Sequence, residues 1–267
     1  MRTCILVQAD VFQLIARTFP GEKLNINALR GLAVSALLAI SLTSCSGGGA
    51  SSAEAEPSPV SESATPTEVP FKTYSRVELG KILESVRDSN DTRLLVMPDD
   101  RLKDALKQAK DIVSNSTVEP AACAEFVAGG GAQLEDGAVV SIGASPSSNA
   151  ESVVLLTLVS GVSEDRVNEL MAGRAANVKS CGASQATILG QSVEAVTSVL
   201  QTSAKTDGAL AYKSSATAPG AGSQDQVVVM AAKGGVVLMG QSTGTAVADS
   251  DLPKLEAMLD QAADLIK

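Results

Sequence analysis

From Ser75 onward the chain switches between two spacings of apolar residues. Val77, Leu79, Ile82, Leu83 and Val86 recur at helical spacing. Ser75-Arg76-Val77-Glu78 ahead of them has the form of a capping box. Asp88, Asn90 and Asp91 end this helix, and Leu94-Leu95-Val96-Met97 reads as a short strand stopped by Pro98. Asp99 or Asp100 is expected to cap a second helix with Leu102, Ala105, Leu106, Ala109, Ile112 and Val113 on one face. Pro120 opens a short helix that carries Cys123 and Phe126. Two strands follow, near 138–143 and 151–159, and then a helix from Ser163 with Val167, Leu170, Met171, Ala175 and Val178 turned inward, closed by Cys181-Gly182.

Beyond that point the pattern is one of strands: Gln185–Leu189, Val193–Leu200, Ala209–Ser215, Gln226–Ala232 and Val236–Gln241, the last two joined by a Lys233-Gly234-Gly235 hairpin turn. A final helix runs from about Asp251 to Ile266 with Leu255, Met258, Leu259, Ala262 and Ile266 as its stripe. Helices mixed with consecutive strands predict an α+β fold with a largely antiparallel sheet covered by amphipathic helices. The hairpin Val227-Val228-Val229-Met230 … Val236-Val237-Leu238-Met239 is apolar on both faces. Both faces should therefore be covered, by helices or, alternatively, on one side by an apolar cavity for a lipid.

The N-terminal part has a different character. Leu32–Leu42 is an uncharged run of eleven residues behind Arg30, too short to span a bilayer but suited to the h-region of a signal peptide. Leu42-Thr43-Ser44-Cys45 resembles a bacterial lipobox, which implies diacylation of Cys45 and cleavage before it. The leader ahead of Arg30 is long, which fits a translation start near Leu24. Residues 46–70 are Gly, Ser, Ala, Pro, Thr and Glu with hardly a large apolar side chain, and cannot offset their ordering entropy by burial. The expected organisation is thus a signal peptide with lipobox over 1–45, a disordered linker over 46–70 and a folded extracytoplasmic domain over 71–267.

Composition narrows the chemistry. The 267 residues include no His and no Trp, which excludes Ser-His-Asp and Cys-His nucleophile systems, His-ligated zinc and imidazole acid–base catalysis. An enzyme here would have to use carboxylates, lysine, serine or tyrosine. The net charge is −9 and becomes −11 once residues 1–45 are removed, so nucleic acid is not an expected partner. With Cys4 lost in the leader and Cys45 lipidated, Cys123 and Cys181 remain in an oxidising compartment and are expected to pair, two free buried thiols being the alternative.

Several motifs are weaker than they look. Gly240-Gln241-Ser242-Thr243-Gly244 matches G-x-S-x-G but has no histidine base, and reads as a turn. Gly129-Gly130-Gly131 lacks the Lys-Ser/Thr ending of a phosphate loop. Asp88-Ser89-Asn90-Asp91-Thr92 starts like a calcium loop but lacks the glycine and glutamate that complete one, and reads as a helix exit. No cofactor, metal or catalytic residue is expected. The glycine loop at 129–131 and the segment Thr217–Asp225 are expected as mobile rims of a binding site.

Thr117-Val118-Glu119-Pro120-Ala121-Ala122-Cys123-Ala124-Glu125 resembles the P-x-x-C helix start of the PknH-like family of actinobacterial extracellular sensor domains. Val153 to Leu158 and the helix 163–180 ending at Cys181 are similar to the strand and helix that bring in the partner cysteine there, and Gly208–Tyr212 with the 227–239 hairpin fit the later strands. The resemblance spans about 118–267 and implies an α+β domain with a ligand-binding cleft and no catalysis. The family's second disulfide and its tryptophans have no counterpart. The sequence therefore points to a membrane-anchored, sensor-like or ligand-binding domain for an extracellular small molecule, lipid or cell-envelope ligand, with a lipid or glycolipid carrier and a carboxylate- or lysine-based enzyme as the competing readings.

Overall fold

The computed structural model describes residues 70–127, 137–148, 151–220 and 222–267. The leader, Cys45, the 46–69 stretch and Gly129–Gly131 lie outside the described residues. Helix α1 (Arg76–Ser85) leads through β1 (Leu95–Val96) to α2 (Asp99–Ser114), then β2 (Thr117–Glu119) and, after one 3-10 turn, the short helix α3 (Ala124–Val127). β3 (Val139–Ala144) and β4 (Ser152–Ser160) precede α4 (Glu164–Ser180). Five strands follow without interruption, β5 (Ala183–Ile188), β6 (Gln191–Leu200), β7 (Leu210–Ala218), β8 (Gly222–Lys233) and β9 (Val236–Gly244), and α5 (Leu252–Leu265) ends the fold.

All strands join one antiparallel sheet in the order β1-β3-β4-β9-β8-β7-β6-β5-β2. This is the expected α+β class. The meander β5 to β9 folds back so that β9 pairs with β4, which buries the β8–β9 hairpin at the centre. Side chains alternate between faces along a strand, and here both faces are packed. Val227, Val229, Ala231, Val236 and Leu238 meet Leu79 and Leu83 of α1 and Leu255, Met258, Leu259 and Ala262 of α5. Val228, Met230, Val237 and Met239 meet Phe126, Leu170, Val178 and the two cysteines on the other side. The apolar hairpin is a sheet centre under helices.

Local chemistry explains the element ends. Ser75 caps α1 as a full capping box: its hydroxyl accepts from the Glu78 N–H, and the Glu78 carboxylate accepts from the Ser75 N–H at 2.8 Å. Those bonds from Ser75, with help from Lys72, hold the Glu78 carboxyl down at about 2. Three expectations need correction. Val77 is 68% exposed and does not belong to the buried stripe. Pro98, not an aspartate, is the N-cap of α2, and Asp99 and Asp100 sit inside its first turn, where their charge suits the helix dipole. Only Leu102 of that helix is fully buried, so its stripe is half-covered.

The segment 217–225 is also corrected. Both strands run through it, with Thr217 opposite Ser223 and Ala218 opposite Gly222, and the Ser215 hydroxyl bonds Asp225. Period-two burial along β7 continues to Ala218, which the small residues there disguise. Likewise Gly240–Gly244 is strand, paired to β4 and β8, and not a turn.

Cys123 and Cys181 form a disulfide with Cα atoms 5.7 Å apart, closing a separation of 58 residues. It ties the turn ahead of α3 to the C-cap of α4. On the opposite face α5 clamps the β6–β7 connection with two carboxylates one turn apart. Glu256, 4% exposed, accepts from the Thr202 hydroxyl at 2.7 Å, the Ser203 N–H at 2.7 Å and the Ser203 hydroxyl at 2.6 Å. Asp260 accepts from the N–H groups of Lys205 and Thr206 and from the Thr206 hydroxyl. Burial pushes the Glu256 carboxyl up, but the donors from Ser203, Thr202 and Ala204 outweigh it and keep the group below the ordinary glutamate value.

Two outcomes are expected. Both cysteines resist alkylation until reduced, and reduction lowers stability in urea unfolding by about 4 kcal/mol on the chain-entropy model. Glu256→Ala costs about 2 kcal/mol, because three part-buried donors lose a charged acceptor. Since the folded-state carboxyl is depressed, its contribution is complete above the unfolded value of roughly 4.3 and is lost as pH falls through the folded one. The Glu256→Ala protein should therefore lose less stability than wild type on acidification over that window.

Candidate functional site

At the far end of the sheet from the Gly234–Gly235 turn, three connections leave a cleft of about 320 Å³. Its walls are the α1–β1 loop, the β3–β4 loop with the start of β4, and the segment leading into α5. That volume is at the small end of ligand pockets. The floor is apolar, from Val154, Leu255 and Met258, and the rim is polar and charged, with Asp88, Asn90, Ser147, Glu151, Asp251 and Lys254.

Asp88 is the hub. It is 8% exposed, and its two oxygens divide the loops between them. One accepts from the N–H groups of Asn90 at 2.9 Å and Thr92 at 3.0 Å, which shapes its own loop; the Asp88 N–H also donates to the Thr92 carbonyl. The other accepts from the hydroxyls of Ser145 at 2.6 Å and Ser147 at 2.8 Å, fifty-seven and fifty-nine residues away. The Asn90 side-chain amide donates to the Ser147 hydroxyl at 2.8 Å. Burial raises the Asp88 carboxyl, but the bonds from Ser145, Thr92, Ser147 and Asn90 exceed that cost and hold it below the usual aspartate value. It is an ionised strut with both oxygens filled, and it has no proton to give near neutral pH.

The opposite wall is pinned in a comparable way. Asp251 accepts from Lys254 at 2.8 Å and from the Ala248 N–H at 3.2 Å, and the Ser242 hydroxyl lies 3.5 Å from it and 3.1 Å from the Ser152 hydroxyl. The Ala246 N–H donates to the Glu151 carbonyl at 3.1 Å. Gly244 lies against the same carbonyl so closely that a Cβ would run into it, so this corner of the cleft requires glycine. The arrangement supplies fixed hydrogen-bond donors, acceptors and charges around an apolar floor. It positions a ligand more readily than it moves a proton.

The residues singled out in the sequence fall in different places. Asp88–Thr92 is more than a helix exit: Asp88, Ser89 and Asn90 line the cleft, and Asp91 sits at φ 59°, in the left-handed region that the tight loop demands. Of the G-x-S-x-G run, Ser242 is fully buried behind the cleft wall, its hydroxyl near that of Ser152 and the Asp251 carboxylate, while Gln241 and Thr243 point to the other side of the sheet. Cys123 and Cys181 lie away from the cleft, within the second core. The sequence reading missed Ser145, Ser147, Asp251 and Lys254; the Ser145-Pro146-Ser147-Ser148 turn was the available signal for the first two. It also missed Arg174, which is 1% exposed within the second core, 4.9 Å from the Phe126 ring centre and 5.4 Å from that of Tyr212. Among the described residues no three His, Cys, Asp or Glu side chains come together as a metal site, and no helix is long and apolar enough to cross a membrane.

No family model matches the chain, and no curated protein does. Among solved structures it is similar to the extracellular domain of PknH from Mycobacterium tuberculosis, at 13% identity and a TM-score of 0.48, over 73% of this chain and 99% of that one. It is also similar to an uncharacterised protein, the Rv0999 ortholog from Mycobacterium smegmatis, at 15% identity and a TM-score of 0.36, over 57% of this chain and 76% of that one. The first is the domain type that the residues around Cys123 and Cys181 resemble.

Asp88→Asn should cost about 2 kcal/mol at pH 7, since a charged acceptor of four hydrogen bonds becomes neutral and gains a donor facing donors. The depressed Asp88 contributes its stability above roughly 3.9, and that contribution is lost as pH falls through its folded value. Urea unfolding of the two proteins at pH 7 and again near pH 3 should show the difference between them shrinking in acid.

Proposed function

We propose that this protein is a lipid-anchored, extracytoplasmic binding domain of sensor type, without catalysis, that takes a small polar ligand in the cleft around Asp88 and Asp251. The observation that carries the reading is the cleft itself: a polar rim whose side chains are held by hydrogen bonds to one another at the sheet end, above the floor of Val154, Leu255 and Met258. Rigidly mounted loops of this kind suit recognition. The carrier reading asks for one face of the 227–239 hairpin to line a cavity, and both faces are filled by helices.

The direction of presentation follows from where the chain enters the domain. The Lys72 N–H donates to the Gly234 carbonyl at 3.2 Å, and the Tyr74 N–H to the Ser160 hydroxyl at 2.9 Å, which itself donates to the Gly235 carbonyl at 3.2 Å. The Tyr74 hydroxyl closes onto the C-terminal Lys267 carbonyl at 2.7 Å. A tether from Cys45 therefore joins at the hairpin-turn end of β9, and the cleft lies at the other end, about 27 Å away at 3.4 Å per residue. A lipid on Cys45 with the linker behind it leaves the cleft facing outward.

Cys45→Ser should move the protein from the membrane fraction to the soluble fraction and abolish labelling by fatty-acid analogues; unchanged partitioning refutes the anchor. For the cleft, native mass spectrometry of the full-length protein mixed with a low-molecular-weight envelope extract should show an adduct. Ser89→Trp, which fills the mouth without removing a hydrogen bond, should lose it. Sustained turnover of envelope glycans, esters or peptides, abolished by substituting Asp251 or Lys254, overturns the non-catalytic reading.

A further inference from the structure

The sheet face beneath α3 and α4 changes character along its length. Near the disulfide it is Val159, Val228, Met230, Val237 and Met239. Further along the same strands it becomes Gln241 and Thr243 on β9, Gln226 on β8, Ser214 on β7 and Thr197 on β6, and none of these is more than 8% exposed. The register sets Thr243, Gln226, Ser214 and Thr197 side by side across four strands. Thr197 and Ser214 satisfy each other at 3.1 Å. Gln226 does not: at 1% exposure, neither its amide oxygen nor its amide nitrogen has a hydrogen-bond partner, and the hydroxyl of Thr243, its cross-strand neighbour, has none either.

A buried polar group without a partner costs about 1–3 kcal/mol, and methionine or valine would fill the same space without that cost. Two adjacent positions carrying it, in a row of polar side chains within an otherwise apolar face, are poor for stability alone. We propose that Gln226 and Thr243 form the floor of a second, internal site that binds an uncharged, hydroxyl-rich small molecule of the sugar or polyol class. The chemistry selects that class. The carboxamide presents a donor and an acceptor, and the threonine hydroxyl is both. A guest hydroxyl, also both, matches either end of the amide. Neither side chain carries a charge to offset that of a carboxylate or an ammonium taken out of water, which disfavours both ions in a buried site. The cation at the border, Arg174, is engaged over the Phe126 and Tyr212 rings. Because side chains alternate along β9, this site lies on the sheet face opposite the one that carries the cleft, to which Ser242, between Gln241 and Thr243, is directed. It is independent of the cleft reading.

The test is saturation-transfer NMR and thermal unfolding of the full-length protein with glucose, galactose, N-acetylglucosamine and maltose as probes. At least one sugar should bind saturably and raise the unfolding temperature. Thr243→Val should weaken that sugar's Kd at least tenfold, and Gln226→Met should abolish the response while matching or exceeding wild-type stability without sugar. Lys254→Ala, in the cleft, should leave the response intact. If Gln226→Met does not fold, Thr243→Val alone decides. Saturable binding of none of the four sugars, binding indifferent to Thr243→Val, or a crystal structure grown with the sugar that shows only ordered water against Gln226, overturns the proposal.

Discussion

The fold is governed by one constraint: the β8–β9 hairpin is apolar on both faces and must be covered on both. An antiparallel sheet usually leaves one face to water. Here Val227, Val229 and Leu238 require one helical layer, and Val228, Met230 and Met239 require another. The first is met by α1 and α5, from the two ends of the folded chain, which places residue 74 beside residue 267. The second is met by α3 and α4, which are short or weakly amphipathic, and the disulfide between Cys123 and Cys181 fastens them where packing alone is thin. The layers therefore differ in how they are held, one by buried leucines and one by a covalent link.

Acidic residues hold the connections. Asp88, Glu256 and Asp260 each gather backbone N–H groups and hydroxyls from a loop that has no packed core of its own. This changes how the negative charge of the chain should be read. The buried carboxylates of Asp88 and Glu256 stay ionised, because their donors stabilise the charge more than burial penalises it. Such groups are structural, and their presence in a cleft is not by itself a catalytic signature.

Most elements were legible in the sequence because their signals are local. The Ser75 capping box, the Ser163 cap, the Gly234-Gly235 turn and the α5 stripe each lie within one turn or one strand of chain. Misreadings arose where a local signal was ambiguous or the partner was remote. Asp99 and Asp100 look like caps, but Pro98 already has the extended backbone that a cap needs. Gly, Ala and Ser at 217–225 look like a loop, yet cross-strand pairing makes them strand. The cleft was the least legible part. The partners of Asp88 are 57 and 59 residues away, and nothing near Asp88 announces Ser145 or Ser147. Arg174 was hidden by the opposite fault, since a helix pattern drawn from apolar residues passes over a buried arginine whose neighbours are aromatic rings.

β9 links these threads, and its two ends show how. At one end Gly235 sits against the backbone of Lys72, and at the other Gly244 sits against the backbone of Glu151. A side chain at either glycine would collide with main chain, which cannot rotate away as a flexible side chain can. The strand is thus wedged between the segment where the folded domain begins and the corner of the cleft. Between the wedges its side chains alternate, Leu238 and Ser242 to one face, Val237, Met239, Gln241 and Thr243 to the other. Sliding β9 by one residue would reverse every one of these assignments, exchanging the faces of Ser242 and Thr243. The glycines fix the strand's position, and that position decides which polar groups each face receives. The sequence G-Q-S-T-G, unsuited to an elbow nucleophile without histidine, matches what a central strand needs here. It is small at the ends for close approach, and polar between them on both faces.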